Sequence, residues 1–459
     1  MLPQRLATRA RPLLRRLDGL LFAADERGAA SRMSLIAFAI RVVSAVIAFV
    51  SQVLLARWMA SFEYGIFVLV WTTMIIVGSV SCLGFHTSVI RYVSEYRERG
   101  MLGELRGVLL ASRVFAIAAS TLAAALGMAA VWLLSSSIDS YYVVPFTLGL
   151  LCLPMVALGD VLQGIARGNS WVHWALAPTY LVRPLLLLLF MLLALRLGYP
   201  ATAETAILAA ILATWATTVG QLLLMGGRLE GGGAESPRIF HMREWILVSL
   251  PIFLVEGFFF LLTNADVLMV GFFMEPHDTA VYFATVKTLA LVHFVYFAVK
   301  AGVAQRYAQF AHGSPERLAG FARETVSWTF WPSLALALLI LLVGRPMLAL
   351  FGPDFTAGYP LLFVLMVGVV ARAAVGPAES LLTMSGNQNA CAGAYATTLA
   401  VNLGLSILLI PPYGLWGAAT ATAVSMMFEA AALSFIVWRR LGIVMAVFAP
   451  RPDAGSAGR

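Results

Sequence analysis

Charge is scarce in this sequence. Lys, Arg, Asp and Glu make up 12% of its 459 residues, about half the share of a soluble globular domain. The cysteines Cys82, Cys152 and Cys391 are an odd set, each inside an apolar stretch. That pattern excludes a disulfide framework and reads as small packing residues. The sequence has no Walker loop for ATP. No His or Cys cluster has metal-ligand spacing, so neither a metal nor another cofactor is expected. A cleavable signal peptide is missing too. The first apolar run, from about Met33, is too long for a signal h-region and lacks a small-residue cleavage site.

What is present is long apolar runs. Hydrophobic residues make up 61% of the chain, and twelve runs reach spanning length. They lie at 34–56, 65–90, 105–133, 141–166, 172–198, 204–226, 246–274, 279–305, 322–344, 358–383, 388–411 and 414–438. A basic tail, 1–33, precedes them, and its stretch "RPLLRRLDGLLF" has the makings of an amphipathic surface helix. A glycine-rich linker at 227–245 divides the spans into two sets of six, 34–226 and 246–438. A second basic tail, 439–459, closes the chain.

The net charge of +8 could suggest nucleic acid, but its placement speaks for a membrane instead. With the tails and even-numbered loops on one side, the other side holds only Arg57, Arg196 and Arg345 outside the spans. The positive-inside rule then makes both termini cytoplasmic, where the basic residues meet anionic lipid headgroups.

The two sets of six look alike. "EYGIF" at 63–67 matches "TAVYF" at 279–283, "RYVSEY" at 91–96 matches "RYAQF" at 306–310, and "RGN" at 167–169 matches "SGN" at 385–387. An even-numbered repeat keeps its orientation, so a parallel pair of lobes is expected, with the substrate between them.

Charges inside the spans mark candidate sites, because a buried charge costs on the order of 3 kcal/mol at the bilayer centre. Arg41 lies about 12 Å into the first span, and Gln52, eleven positions on, points within about 20° of it. Together they head a polar stripe that suits a water-filled cavity. Arg183, before Pro184, and Arg372 lie near the middle of spans five and ten. Asp266 and Lys287 lie equally deep in neighbouring spans, which predicts a structural ion pair. Glu256 and Glu429 are then the only carboxylates at the depth of the three arginines. They are candidates for binding a coupling proton or sodium ion. The excess of guanidinium over carboxylate suits a diphosphate. Asp160, Glu379 and Lys300 sit nearer the ends of their spans and read as partly solvated. His86 and His293 read as packing residues.

"SQVLLARWMASFEYGIFVLVWT", "RYVSEYRERG", "NADVLMVGFF", "FGPDFTAG" and "YGLWGAATAT" resemble the polysaccharide-transporter branch of the multidrug/oligosaccharidyl-lipid/polysaccharide (MOP) exporter superfamily. That branch includes the Wzx-type O-antigen and exopolysaccharide flippases. The resemblance runs over nearly all of 33–438. It implies an all-α membrane protein whose twelve helices form two six-helix lobes, a V around a central cavity that opens alternately to each side. It also implies an undecaprenyl-diphosphate-linked oligosaccharide substrate, turned from the cytoplasmic to the periplasmic leaflet of the bacterial inner membrane. A polysaccharide polymerase is an open partner. The alternatives are a multidrug or cation antiporter of the same superfamily, a membrane polymerase or glycosyltransferase, and a structural scaffold. An antiporter would want acids in its cavity, an enzyme larger external loops, and a scaffold has no use for deep charges.

Overall fold

The computed structural model describes residues 26–229, 237–311 and 315–447. The amphipathic stretch of the N-terminal tail, the centre of the linker and the end of the C-terminal tail lie outside the described residues. Among the described residues there is no strand, only helices and their connections. Among the described residues, nine helices are long and apolar enough to cross a membrane, ten with one bent pair counted as a span. The chain is a multi-pass membrane protein.

The count differs from the twelve runs because long helices here carry breaks. The first, α1 (Glu26–Ser81), holds one non-helical residue, Ala60, at φ 61° and ψ 171°. The last, described below, has a similar interruption at Gly414, φ 56°. Both breaks fall where the sequence separates adjacent runs. After α1 come α2 (Phe85–Glu98) and α3 (Leu102–Leu133). The expected fourth span is two helices, α4 (Ser140–Leu150) and α5 (Leu153–Gly168), bent by 45°. The fifth is α6 (Val172–Ala177), a π turn at Pro178–Val182, and α7 (Arg183–Arg196). α8 (Ala203–Leu229) ends the first half.

The second half opens with α9 (Met242–Leu262) and α10 (Ala265–Phe273), parted at Thr263 and Asn264, so the expected run 246–274 is also broken. It continues with α11 (Pro276–Ala311) and α12 (Pro315–Ala349). A short 3-10 turn leads into α13 (Tyr359–Ala373), and α14 (Ala378–Met384) follows a break at Gly376 and Pro377. α15 (Gln388–Leu441) closes the fold.

The two halves are joined at one end and parted at the other. At the far end, opposite the linker, residues of both halves share a single apolar core. Tyr64 of α1 packs edge-on against Phe283 and Phe355, at 6.2 and 6.0 Å between ring centres. Gly65 permits this approach, since a Cβ there would lie 1.8 Å from the Pro276 carbonyl oxygen. Arg57 Nε donates to the Leu350 carbonyl at 2.5 Å, beyond the end of α12. Ser61 Oγ lies between His277 Nδ1, at 2.8 Å, and Asp354, at 3.4 Å.

At the linker end each half keeps its own core. One gathers around Val89, Leu162 and Trp245, the other around Tyr307, Leu381 and Tyr395. α9 belongs to both, with Trp245 in the first and Phe258 and Phe259 against the second. Between these two cores is a cavity.

Candidate functional site

The cavity begins at the linker end as a compartment of about 620 Å³. Asp160, Tyr180, Glu256, Lys300 and Glu379 are among its walls. Two smaller compartments lie deeper. One, of about 320 Å³ within the first half, is lined by Gln52, Trp71, Tyr180 and Arg183. The other, of about 290 Å³ between the halves, is lined by Gln52, Trp71, Asn264 and Lys287. Tyr180 is common to the mouth and the first, while Ala45, Ala48, Gln52 and Trp71 are common to both deep ones. The small alanines on α1 leave the space that the compartments occupy.

Gln52 stands where its stripe predicts. Its Oε1 accepts from the buried Tyr64 hydroxyl at 2.8 Å. Arg41 continues the same stripe, since 41, 45, 48 and 52 project within about 60° of one another. It is exposed, one turn beyond Ala45 toward the linker end, and outside the residues that line the three compartments.

Arg183 follows directly on the π turn, a feature that often marks functional positions in helices. Pro184 cannot donate to the helical ladder, so the wider turn is accommodated there. The guanidinium lies 5.9 Å from the Trp71 ring centre, and among the described residues no carboxylate pairs with it.

Asp266 and Lys287 do not form the predicted ion pair. Asp266 is buried and accepts from the Val267 N–H at 2.9 Å and from the Tyr282 hydroxyl at 3.3 Å. Tyr282 bonds in turn to Thr422 at 3.0 Å. Lys287 stays beyond ion-pair distance of Asp266, though the two charges still interact. Its ammonium is 4.6 Å from the Phe283 ring centre and beside the interlobe compartment. Equal depth placed the two residues in one layer. Helix rotation, which depth leaves open, aims them at different neighbours.

Arg372 also differs from its expected setting. It is 6% exposed and stands behind the cavity wall. One of its terminal nitrogens is 3.1 Å from Glu429 and 3.8 Å from Glu379, and the Tyr296 ring centre is 4.8 Å away. Glu379 also pairs with Lys300 and accepts from the Tyr395 hydroxyl. Two carboxylates and two cations thus form one neutral network, buried except at Lys300, which reaches the mouth compartment. Glu429, 2% exposed, belongs to it and does not line the cavity. Glu379, expected to be partly solvated, is 3% exposed because the break at Gly376 and Pro377 turns α14 inward.

Glu256 does face the mouth. It accepts from Thr87 at 2.5 Å and lies 3.5 Å from His86 Nε2. His293 is half-buried, and its Nε2 is an enclosed atom with no hydrogen-bond partner among the described residues. Trp71, Tyr180 and Asn264 also line the compartments, although no expectation from the sequence named them. Tyr180 could have been found from its i, i+3 relation to Arg183. Asn264 sits at a helix break that an unbroken apolar run conceals.

Residues 32–305, more than half of the chain, match the family model described as polysaccharide biosynthesis protein. The chain belongs to that family. No curated protein sequence matches it. Among solved structures it is similar to a multidrug resistance MATE family transporter of the MOP superfamily. The inward-facing form of that transporter gives a TM-score of 0.73 at 14% identity, covering 87% of this chain and 94% of the other. The outward-facing form gives 0.62 at 15% identity, covering 88% and 95%. The lipid II flippase MurJ, in an inward closed conformation, gives 0.68 at 14% identity, covering 88% and 87%. The polysaccharide biosynthesis chain therefore has the MOP fold.

Proposed function

We propose that the protein is a flippase for a lipid-linked oligosaccharide. It moves an undecaprenyl-diphosphate-linked repeat unit from the cytoplasmic to the periplasmic leaflet of the inner membrane for surface polysaccharide, by alternating access. The lobes are 34–226 and 246–438, and both termini are cytoplasmic. The described conformation is then the inward-open one, in keeping with the higher similarity to the inward-facing MATE form.

One observation carries the reading. Arg183 from the first half and Lys287 from the second face adjoining compartments that share Gln52 and Trp71, and no carboxylate lines either compartment. A diphosphate there meets cations from both lobes. Its contacts strengthen as the lobes close, so binding favours the occluded state. Arg41, one turn nearer the mouth on the same stripe, extends the positive charge toward an entering headgroup.

A cation antiporter is the second reading, favoured by Asp160, Glu256 and Glu379 at the mouth. Glu379 is already paired with Lys300, and the deeper walls carry only positive charge, which repels a cation. Glu256 beside His86 is the carboxylate open to a coupling ion, whereas Glu429 is held by Arg372.

The test is binding of polyprenyl diphosphate and polyprenyl monophosphate to the purified protein in nanodiscs. A charge-assisted hydrogen bond is worth about 1.5–3 kcal/mol, so Arg183→Ala and Lys287→Ala should each weaken diphosphate binding about ten- to a hundredfold. Both variants should also reduce surface polysaccharide in cells lacking the native protein. Unchanged binding, or preferential binding of a lipophilic cation, would replace this reading with the antiporter. For orientation, a cysteine at Asp139 or Tyr199 should react with an external thiol reagent in intact cells, and one at His241 should not.

A further inference from the structure

A separate pocket of about 400 Å³ lies on the flank of the first half, away from the central cavity. α3 and α8 both pack on α5, and the pocket is between them. α3 turns toward it Arg106, Leu109, Leu110 and Arg113, one helical face by their spacing. α8 contributes Leu222, Leu223 and Gly226, and the third wall is Arg238. Among the described residues, every charged one that lines the pocket is an arginine.

The arginines are positioned by the fold. Arg238 precedes Ile239, whose N–H donates to the Gly103 carbonyl at 3.1 Å. The approach is close enough that a Cβ at Gly107 would lie 1.8 Å from the Ile239 carbonyl oxygen. Glycines 103 and 107 thus let the segment before α9 dock on α3 and carry Arg238 to the pocket. Arg113 Nε donates to the Leu109 carbonyl at 2.7 Å, one turn back toward the start of the helix.

The height of the pocket in the membrane follows from α3. Residues 114–133 carry no charge, and at 1.5 Å per residue they cover about 30 Å, the thickness of the hydrocarbon layer. Arg113 therefore marks the hydrocarbon boundary, and Arg106 and Arg238 lie at headgroup level. The lip on the α8 side is apolar and faces outward, with Leu223 73% and Leu224 65% exposed. Gly226 faces open space, since a Cβ there meets nothing within 4 Å.

We propose that this pocket binds the phosphate headgroup of an anionic membrane phospholipid, with its acyl chains lying along Leu223 and Leu224. Guanidinium forks suit phosphate oxygens, and basic pockets between helices at headgroup height hold anionic lipids. Three cations favour a headgroup with two phosphates, as in cardiolipin, over a zwitterionic one. The proposal concerns a regulatory or stabilising lipid and stands independently of the flippase reading.

The test uses full-length protein, with lipid binding followed by native mass spectrometry and by thermal shift. Cardiolipin should bind and raise the melting temperature, and phosphatidylcholine should do neither. Arg106→Gln combined with Arg113→Gln should weaken cardiolipin binding about tenfold or more. Gly226→Leu should do the same by filling the pocket. A Cβ at 226 meets no protein atom within 4 Å, and leucine is a better helix former than glycine, so the change separates lost binding from lost folding. Arg183→Ala, in the central cavity, should leave cardiolipin binding unchanged. The proposal is overturned if phosphatidylcholine binds equally, if Gly226→Leu binds cardiolipin as well as the unaltered protein, or if inorganic phosphate at matched concentration displaces the lipid.

Discussion

Arg183 and Arg372 lie deep in the two halves of one molecule, and their surroundings are opposite. Arg183 lines a deep compartment, lies 5.9 Å from the Trp71 ring centre and has no carboxylate partner among the described residues. Arg372 is buried against Glu429 and Glu379, with Lys300 and Tyr395 completing the network. The first half thus presents its cation, and the second half neutralises its own and offers Lys287 instead. Depth in a span says that a charge needs an explanation. It does not say whether the explanation is a partner or a ligand.

The largest effect should come from breaking the neutralised side. Removing one member of a buried ion pair leaves its partner uncompensated and costs about 3–5 kcal/mol. Arg372→Ala should therefore lower membrane levels and the melting temperature sharply, because Glu429 and Glu379 are left facing each other. Adding Glu429→Gln should restore much of that loss, since Glu379 keeps Lys300. If Arg372→Ala folds as well as the unaltered protein, Arg372 is not held as described and its cavity role returns.

Arg183→Ala should behave in the reverse manner. It removes no ion pair, only the contact with Trp71, so its stability should fall by no more than about 2 kcal/mol. Export should nevertheless fall steeply, measured as surface polysaccharide at matched membrane levels. Arg183→Lys should recover only part of it, because an ammonium keeps the charge and loses the planar fork. Equal loss of stability in Arg183→Ala and Arg372→Ala would erase the contrast between the halves.

Lys287 sharpens the comparison further. If it were the partner of Asp266, Lys287→Met would expose a buried unpaired carboxylate. Because Asp266 is satisfied by Val267 and Tyr282, Lys287→Met should melt near the temperature of the unaltered protein and lose only diphosphate affinity. Asp266→Ala should melt lower, since it leaves Tyr282 with one bond fewer.

Much of the fold was legible from the sequence. The apolar runs, the linker between two halves and the polar stripe through Gln52 all follow from composition and period. The multi-pass membrane class and the family resemblance followed with them. The breaks were less legible, because Asn264 and the Gly376–Pro377 pair sit inside stretches whose hydropathy never falls. Those breaks decide the site. One brings Asn264 to a deep compartment, and the other turns Glu379 from the span end into a buried network. Pairing itself depends on how each helix is rotated against its neighbours. Asp266 and Lys287 show that matched depth cannot supply this.

The smallest effect should come from Trp71. Its ring lies under the Arg183 guanidinium, and a cation–π contact of this kind is worth about 0.5–2 kcal/mol. In the free protein that contact holds Arg183 toward the shared wall of both deep compartments rather than letting it swing into the mouth. Trp71→Leu keeps an apolar wall and the charge, but releases the guanidinium. Diphosphate binding should weaken about three- to tenfold, less than in Arg183→Ala, and the two substitutions combined should cost little more than Arg183→Ala alone. That non-additivity is the informative outcome, because residues acting through one another do not sum. Fully additive losses would mean that Trp71 acts on the ligand or the packing directly, and that Arg183 is held by the π turn and Pro184 without the ring.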